Sequence, residues 1–119
     1  MDTLFLDVYT FCVYAQGMDV TSYLDGQLFI WDANKARTNA ADHGVTFELA
    51  REAFFDPFVV YEDATAGDEL RQGIIGRIAS PPRRLLYVVS VEREGQAVRI
   101  ISARKAEPEE EKRYDNQNE

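Results

Sequence analysis

The sequence predicts an α+β domain: a single antiparallel β-sheet with flanking helices. Three observations lead there. Between Asp32 and Pro57 the apolar residues recur at helical spacing, and after Pro57 they recur at strand spacing. Breakers at Ala66-Gly67-Asp68, Pro81-Pro82 and Glu94-Gly95 divide the later part into runs short enough to pair as a meander. The chain has 119 residues and is 45% hydrophobic. That suits one compact domain, able to bury roughly 65–70% of the surface its unfolded form exposes.

Each element has a local reason. Gln27-Leu-Phe-Ile-Trp31 reads as a short strand rich in apolar and aromatic side chains. Asp32 follows as an N-cap, and the helix it opens runs to about His43, where Gly44 can take the left-handed closing conformation. Thr46 caps a second, short helix with Leu49, Ala50, Ala53 and Phe54 on one stripe, ended by Pro57. Phe58–Tyr61, Leu70–Ala79, Leu85–Arg93 and Ala97–Arg104 read as strands. Pro108 suits the first turn of a closing helix, with Glu109, Glu110 and Glu111 near its positive end. Helices packed on one side of the sheet bury these faces most simply. In residues 1–26, Leu4-Phe5-Leu6 and Val8–Val13 fit either an added strand or a short helix.

Composition removes several classes. Cys12 is the only cysteine, so an internal disulfide and a cysteine-based metal cluster are excluded, as suits a reducing cytosol. The longest stretch without formal charge, Val8–Met18, has eleven residues, against about 20 for a membrane-spanning helix. Asp2 and Asp7 give the start of the chain the wrong sign for a signal peptide. The net charge of −8 alone speaks against a nucleic-acid partner, but it is unevenly spread. Residues 72–105 carry seven bases against two acids, while residues 1–28 hold four acids and no base. A polyanion responds to the local field, which makes 72–105 the segment to face one.

Among the residues that could carry chemistry, the last hairpin matters most. Leu85, Tyr87, Val89 and Val91 form the more apolar row of one strand, and Glu92 shares the other row with Ser90. On the returning strand Val98, Ile100, Ser102 and Arg104 share a row, and Arg99 lies on the opposite one. A two-residue turn at Glu94-Gly95 sets Glu92 on the Arg99 row, and a three-residue loop sets it on the Arg104 row. Both registers stay open. Arg71 and Arg77, six apart, share a face unless a bulge at Gly73 or Gly76 intervenes. Arginines so placed grip phosphate and stabilise charge on pentacoordinate phosphorus, and Glu92 can move a proton from a ribose 2′-hydroxyl. Spacing alone favours the plainer reading, surface arginines paired with carboxylates on a solvated sheet.

Other residues speak more quietly. His43 can act as an acid or base near neutral pH, but its place before Gly44 favours a helix-terminal cap. Lys35 and Arg37 add positive field on a helix edge. Trp31, at a strand end, reads as core rather than as a base-stacking platform. Glu62, Asp63, Asp68 and Glu69 straddle a turn without metal-ligand spacing. There is no glycine-rich phosphate loop, no nucleophile elbow and no sign of an organic cofactor.

Six blocks follow in order: Phe29-Ile-Trp-Asp-Ala-Asn-Lys35, Asp42-His-Gly-Val-Thr-Phe47, Ala53-Phe-Phe-Asp-Pro57, Ile75-Gly-Arg77, Val91-Glu-Arg93 and Arg99-Ile-Ile-Ser-Ala-Arg104. Over Phe29–Tyr114 the chain resembles the BrnT family of ribonuclease toxins from bacterial type II toxin–antitoxin pairs. The resemblance implies a RelE-like fold with a β-α-α-β-β-β-β-α core over 27–116, preceded by an extension, 1–26, with no assigned role. Met18 is then a candidate natural start. It implies a cytoplasmic endoribonuclease that needs no metal or cofactor, cuts through the 2′-hydroxyl, and leaves a cyclic phosphate and a 5′-hydroxyl. It implies inhibition by a cognate antitoxin, usually a ribbon-helix-helix protein, through which alone the pair reaches operator DNA and represses its operon. Carried over by position, Arg77 and Arg104 hold the phosphate and Glu92 is the base, while Lys35, His43, Arg71, Arg93 and Arg99 contact RNA. The acidic leading segment is placed to cover the basic sheet or bind a partner. Two rival readings are a non-catalytic co-repressor that pairs with a DNA-binding protein, and an interaction domain that self-associates through residues 1–26.

Overall fold

A computed structural model describes residues 18–92 and 96–118. The runs Leu4–Leu6 and Val8–Val13, the Glu94-Gly95 turn and the candidate Arg93 lie outside the described residues. In chain order the elements are β1 (Asp19–Leu24), β2 (Gln27–Asp32), α1 (Ala33–His43), α2 (Phe47–Ala53), β3 (Val60–Asp63), β4 (Gln72–Arg77), β5 (Leu85–Glu92), β6 (Val98–Lys105) and α3 (Pro108–Gln117).

The caps form as the residue types dictate. The Asp32 carboxylate accepts from the Lys35 backbone N–H at 2.9 Å, and Gly44 closes α1 at φ 69°. The Thr46 hydroxyl accepts from the Leu49 N–H at 3.1 Å. Glu107 and Glu110 form a reciprocal capping box that opens α3 with Pro108 in its first turn.

The strands β1, β2, β6, β5, β4 and β3 lie in that order in one sheet. The meander from β3 to β6 is antiparallel as expected. Two features correct the sequence reading. First, β2 runs parallel to β6, pairing Phe29 with Val98 and Ile30 with Arg99, so the sheet is mixed rather than wholly antiparallel. The two helices between β2 and β3 carry the chain across the sheet, and three antiparallel steps back leave β6 beside β2 in the same direction. Second, helices cover both faces. Ile74 joins Phe29, Trp31, Val45, Phe47 and Leu86 in the main core, whereas its neighbour Ile75 packs with Val60, Leu85, Ala106 and Tyr114 under α3. A meander strand with apolar residues on successive positions has two faces to bury, and α3 takes the second.

The leading segment contributes β1, further along than its apolar runs indicated. Val20, Ser22 and Leu24 alternate with Thr21 and Tyr23, and Asp25 and Gly26, at φ 50° and 83°, make a two-residue turn into β2. The division drawn at residue 26 falls in this turn.

Buried Asn39 joins α1 to the sheet. Its side chain donates to the carbonyls of Val45 and Ala103 at 3.0 and 2.8 Å and accepts from the Ala103 N–H at 3.1 Å. It thus satisfies a stretch of β6 beyond the two residues that β2 pairs.

Candidate functional site

A single extra residue in β6 decides which charged groups meet. Val89 pairs with Ser102, and Ser90 with Ile100, so Ile101 is a bulge. Five positions apart, Arg99 and Arg104 would face opposite sides of a regular strand. The bulge returns them to one side: Arg104 lies across from Tyr87, and Arg99 from Val91. Arg77, paired with Leu85, belongs to this same side, the one that α3 partly covers. β4 carries no bulge at Gly73 or Gly76; its register with β5 is continuous from Gln72 to Arg77.

Glu92 goes the other way. It pairs with Val98, which packs on the main core, so its row belongs to the α2 side of the sheet. This is the register of the three-residue loop, but the bulge has removed Arg104 from that row. The expected convergence of Arg77, Glu92 and Arg104 in one pocket is therefore corrected: the two arginines share a face, and the acid stands on the opposite one.

Each arginine on the shared face has its own surroundings. The Arg104 guanidinium lies 4.7 Å from the Tyr87 ring centre and donates to both Glu110 carboxylate oxygens at 2.9 and 2.8 Å. Burial pushes the Glu110 carboxyl up, but hydrogen bonds from Arg104 and the Glu107 N–H, with the nearby positive charges, outweigh it and hold the group below the usual range. The same pair raises Arg104. Burial, helped by the charges of Glu62 and Glu110, pushes Tyr87 up. Arg99 makes a two-point pair with Asp19 of β1, at 3.2 and 2.6 Å, which holds the Asp19 carboxyl down. An acid of the leading segment thus does reach the basic sheet.

Arg77 is the exposed member. Its guanidinium sits 5.7 Å from the Tyr114 ring centre and donates to the Arg83 carbonyl at 3.0 Å. Among the described residues no carboxylate pairs with its side chain. Tyr114 donates to Asp56 at 2.6 Å, and burial together with that bond pushes its hydroxyl up to about 12. The same Asp56 oxygen accepts the Arg77 backbone N–H at 2.7 Å, so the carboxylate fixes both partners of the stack.

The remaining candidates are scattered. Arg71, just before β4, pairs with Glu69 at 3.0 Å. It also lines an open hollow with Leu70, Gln72 and Glu92, with no hydrogen bond or ion pair to that acid among the described residues. Lys35 and His43 share another hollow, with Thr38, Asp42 and Ile101, at α1. Trp31 is core, edge-on to Phe47 at 5.8 Å. Of the turn acids, Glu62 pairs with Arg113 and Asp63 accepts from the Thr65 N–H.

Sequence reasoning missed Tyr87, Tyr114, Glu110 and Asp19. Tyr87 was visible as the aromatic of its row, and Glu110 as the third residue after Glu107 in a capping-box pattern. Nothing local linked either to Arg104.

A family model described as "Ribonuclease toxin, BrnT, of type II toxin-antitoxin system" matches residues 31–110. Among solved structures, the chain is similar to the crystal structure of the Brucella abortus ribonuclease toxin BrnT. Identity is 27% over 65% of this chain and 92% of that one, with a TM-score of 0.49. No curated protein matches the chain.

Proposed function

The chain belongs to the BrnT family of ribonuclease toxins of type II toxin–antitoxin systems, and from this premise we propose that it is an endoribonuclease that needs no metal ion. The observation that carries the reading is the β6 bulge, because it sets Arg104 and Arg99 on the face of Arg77. Arg77 and Arg104 hold the scissile phosphate and neutralise the charge that develops on phosphorus as the 2′-hydroxyl attacks. Tyr114 and Tyr87 stack beneath the two guanidinium groups and limit their rotation. Arg99 lies along the same face as a further backbone contact. Glu110 positions Arg104, and an incoming phosphate competes with it for the guanidinium. Glu92 is not assigned the proton of the 2′-hydroxyl at this phosphate, since its row faces the other way. That proton leaves to solvent along the open face, and the departing 5′-oxygen takes one from solvent to become the 5′-hydroxyl.

The products are a cyclic phosphate and a 5′-hydroxyl. In the cell a cognate antitoxin, of ribbon-helix-helix type, holds the protein inactive and carries it to operator DNA, and the pair works in the cytoplasm. Lys35 and His43, grouped at α1, are proposed as peripheral RNA contacts.

A second reading has its own observation. Arg71, Arg99 and Arg104 each already pair with a carboxylate: Glu69, Asp19 and Glu110. A protein so neutralised fits a non-catalytic partner that co-represses with its antitoxin. Incubation of the purified chain with RNA in EDTA separates the two. Cleavage that disappears in Arg77→Ala and Arg104→Ala, with folding intact, supports the nuclease. Cleavage that requires added magnesium contradicts the mechanism. An inert protein that co-purifies with the product of a neighbouring gene supports the co-repressor.

A further inference from the structure

We propose that the hollow beside Glu92, on the face opposite the arginine pair, is a nucleobase subsite that takes an unpaired RNA base bearing an exocyclic amino group. The proposal deepens the nuclease reading and rests on it. The hollow has a volume of about 410 Å³, and Gln27, Phe55, Tyr61, Gln72 and Glu92 are among the residues that line it. That size suits one small planar ligand.

Two features point to a base. Phe55 and Tyr61 are 41% and 57% exposed there, a wasteful arrangement for large apolar rings unless something flat packs on them. Proteins hold unpaired bases by stacking them on aromatic rings and bonding their edges. The polar groups supply the second feature. Both N–H bonds of the Gln27 amide are spent on backbone carbonyls, Leu28 at 2.9 Å and Gln96 at 2.8 Å, which leaves its oxygen as an acceptor. Glu92, exposed and without a cationic partner among the described residues, is a second acceptor. A rim of acceptors selects a ligand edge rich in N–H donors. Guanine, adenine and cytosine offer an amino group, whereas uracil offers a single ring N–H. Arg71 lies in the adjoining hollow that shares Gln72 and Glu92, where it sets a cation beside the subsite for the phosphate of the bound nucleotide.

The full-length chain is titrated with GMP, AMP, CMP and UMP, followed by NMR. The three amino-bearing nucleotides are expected to bind at least about fivefold more tightly than UMP, the lower end of the discrimination one good base contact provides. Glu92→Gln is expected to erase most of that preference, and Tyr61→Ala to weaken all four nucleotides alike. Equal binding of all four, or a preference unchanged in Glu92→Gln, overturns the subsite. So does a Tyr61→Ala variant that loses a partner protein while its nucleotide binding stays intact. A parallel digestion of mixed-sequence RNA keeps the two readings apart. Nucleotide discrimination without any cleavage leaves the subsite standing and defeats the nuclease. Cleavage with no base preference in either assay does the reverse.

Discussion

Arg104 stands over the ring of Tyr87 as its cross-strand partner, with the guanidinium carbon 4.7 Å from the ring centre. Glu110 grips the edge of the same guanidinium, so the group is fixed from below and from one side. An arginine held this way loses little further freedom when it binds phosphate, and it acts in a fixed direction. Its proposed phosphate contact and the stability of α3 are consequently tied together.

Removal of Arg104 tests that tie. The Glu110 side chain is only 8% exposed, so Arg104→Ala strands a charge in a poorly hydrated place. The expected cost is about 2 kcal/mol, below the usual figure for fully buried pairs because Arg104 itself is 30% exposed. Urea unfolding measures it. The double variant Arg104→Ala, Glu110→Ala should recover part of the loss, while RNA cleavage stays abolished.

Acid should act through the same carboxylate. The Glu110 pKa is lower in the folded protein than in the unfolded chain. Its contribution is therefore fully present above the ordinary glutamate value and disappears as pH falls through the depressed one. The stability difference between wild type and Glu110→Gln should be constant from pH 8 to about pH 6 and shrink progressively below about pH 4. A difference that grows in acid would contradict the pairing.

Tyr114 behaves in the opposite sense. Its hydroxyl is raised from 10.0 to about 12 by burial and by the bond to Asp56. The stabilisation it gives is complete below the unfolded value and is lost as pH rises through the folded one. Tyrosinate absorbance should show a step at about pH 12 that is lost in Tyr114→Phe, while Tyr87, also raised, still titrates above the ordinary range. The substitution should cost about 1 kcal/mol, since one buried hydrogen bond is removed while Asp56 keeps its backbone donors.

Gly76 marks where α2 meets the sheet. A Cβ at this position would collide with the Ala53 carbonyl, which is backbone and has little room to move. Gly76→Ala should therefore destabilise the fold by about 1–3 kcal/mol, read from the denaturant midpoint. Gly73→Ala meets instead the far end of the Tyr87 side chain. It should disturb the Tyr87–Arg104 stack, and hence cleavage, more than it disturbs stability.

Arg77 should separate activity from folding. It is exposed and joins its surroundings through one backbone carbonyl and one ring. Arg77→Ala is expected to lower the cleavage rate about a hundredfold, the scale of losing one donor to a charged transition state. Its unfolding free energy should move by less than about 1 kcal/mol. An equal loss in both would assign Arg77 to structure alone.

What local chemistry dictates was readable from the chain. Asp32, Gly44, Thr46 and Pro108 act within a few residues of themselves, so the helix ends they set were legible in sequence. The strand periods from β3 to β6 were legible for the same reason. The antiparallel-only sheet and the one-sided helices failed because β2 meets β6, and α3 meets β3 and β4, across long stretches of chain. β1 went unread although its alternation and its Asp-Gly turn were in plain sight.

The candidate site divides along the same line. Composition and order alone picked out arginines on β4 and β6, and the family pattern around them. Whether Arg104 lies beside Arg99 or Glu92 depended on one unpaired residue, Ile101. A strand's own residues do not reveal such a slip, because a bulge is fixed by how two strands fit together. Face, and therefore partnership, belonged to the tertiary structure.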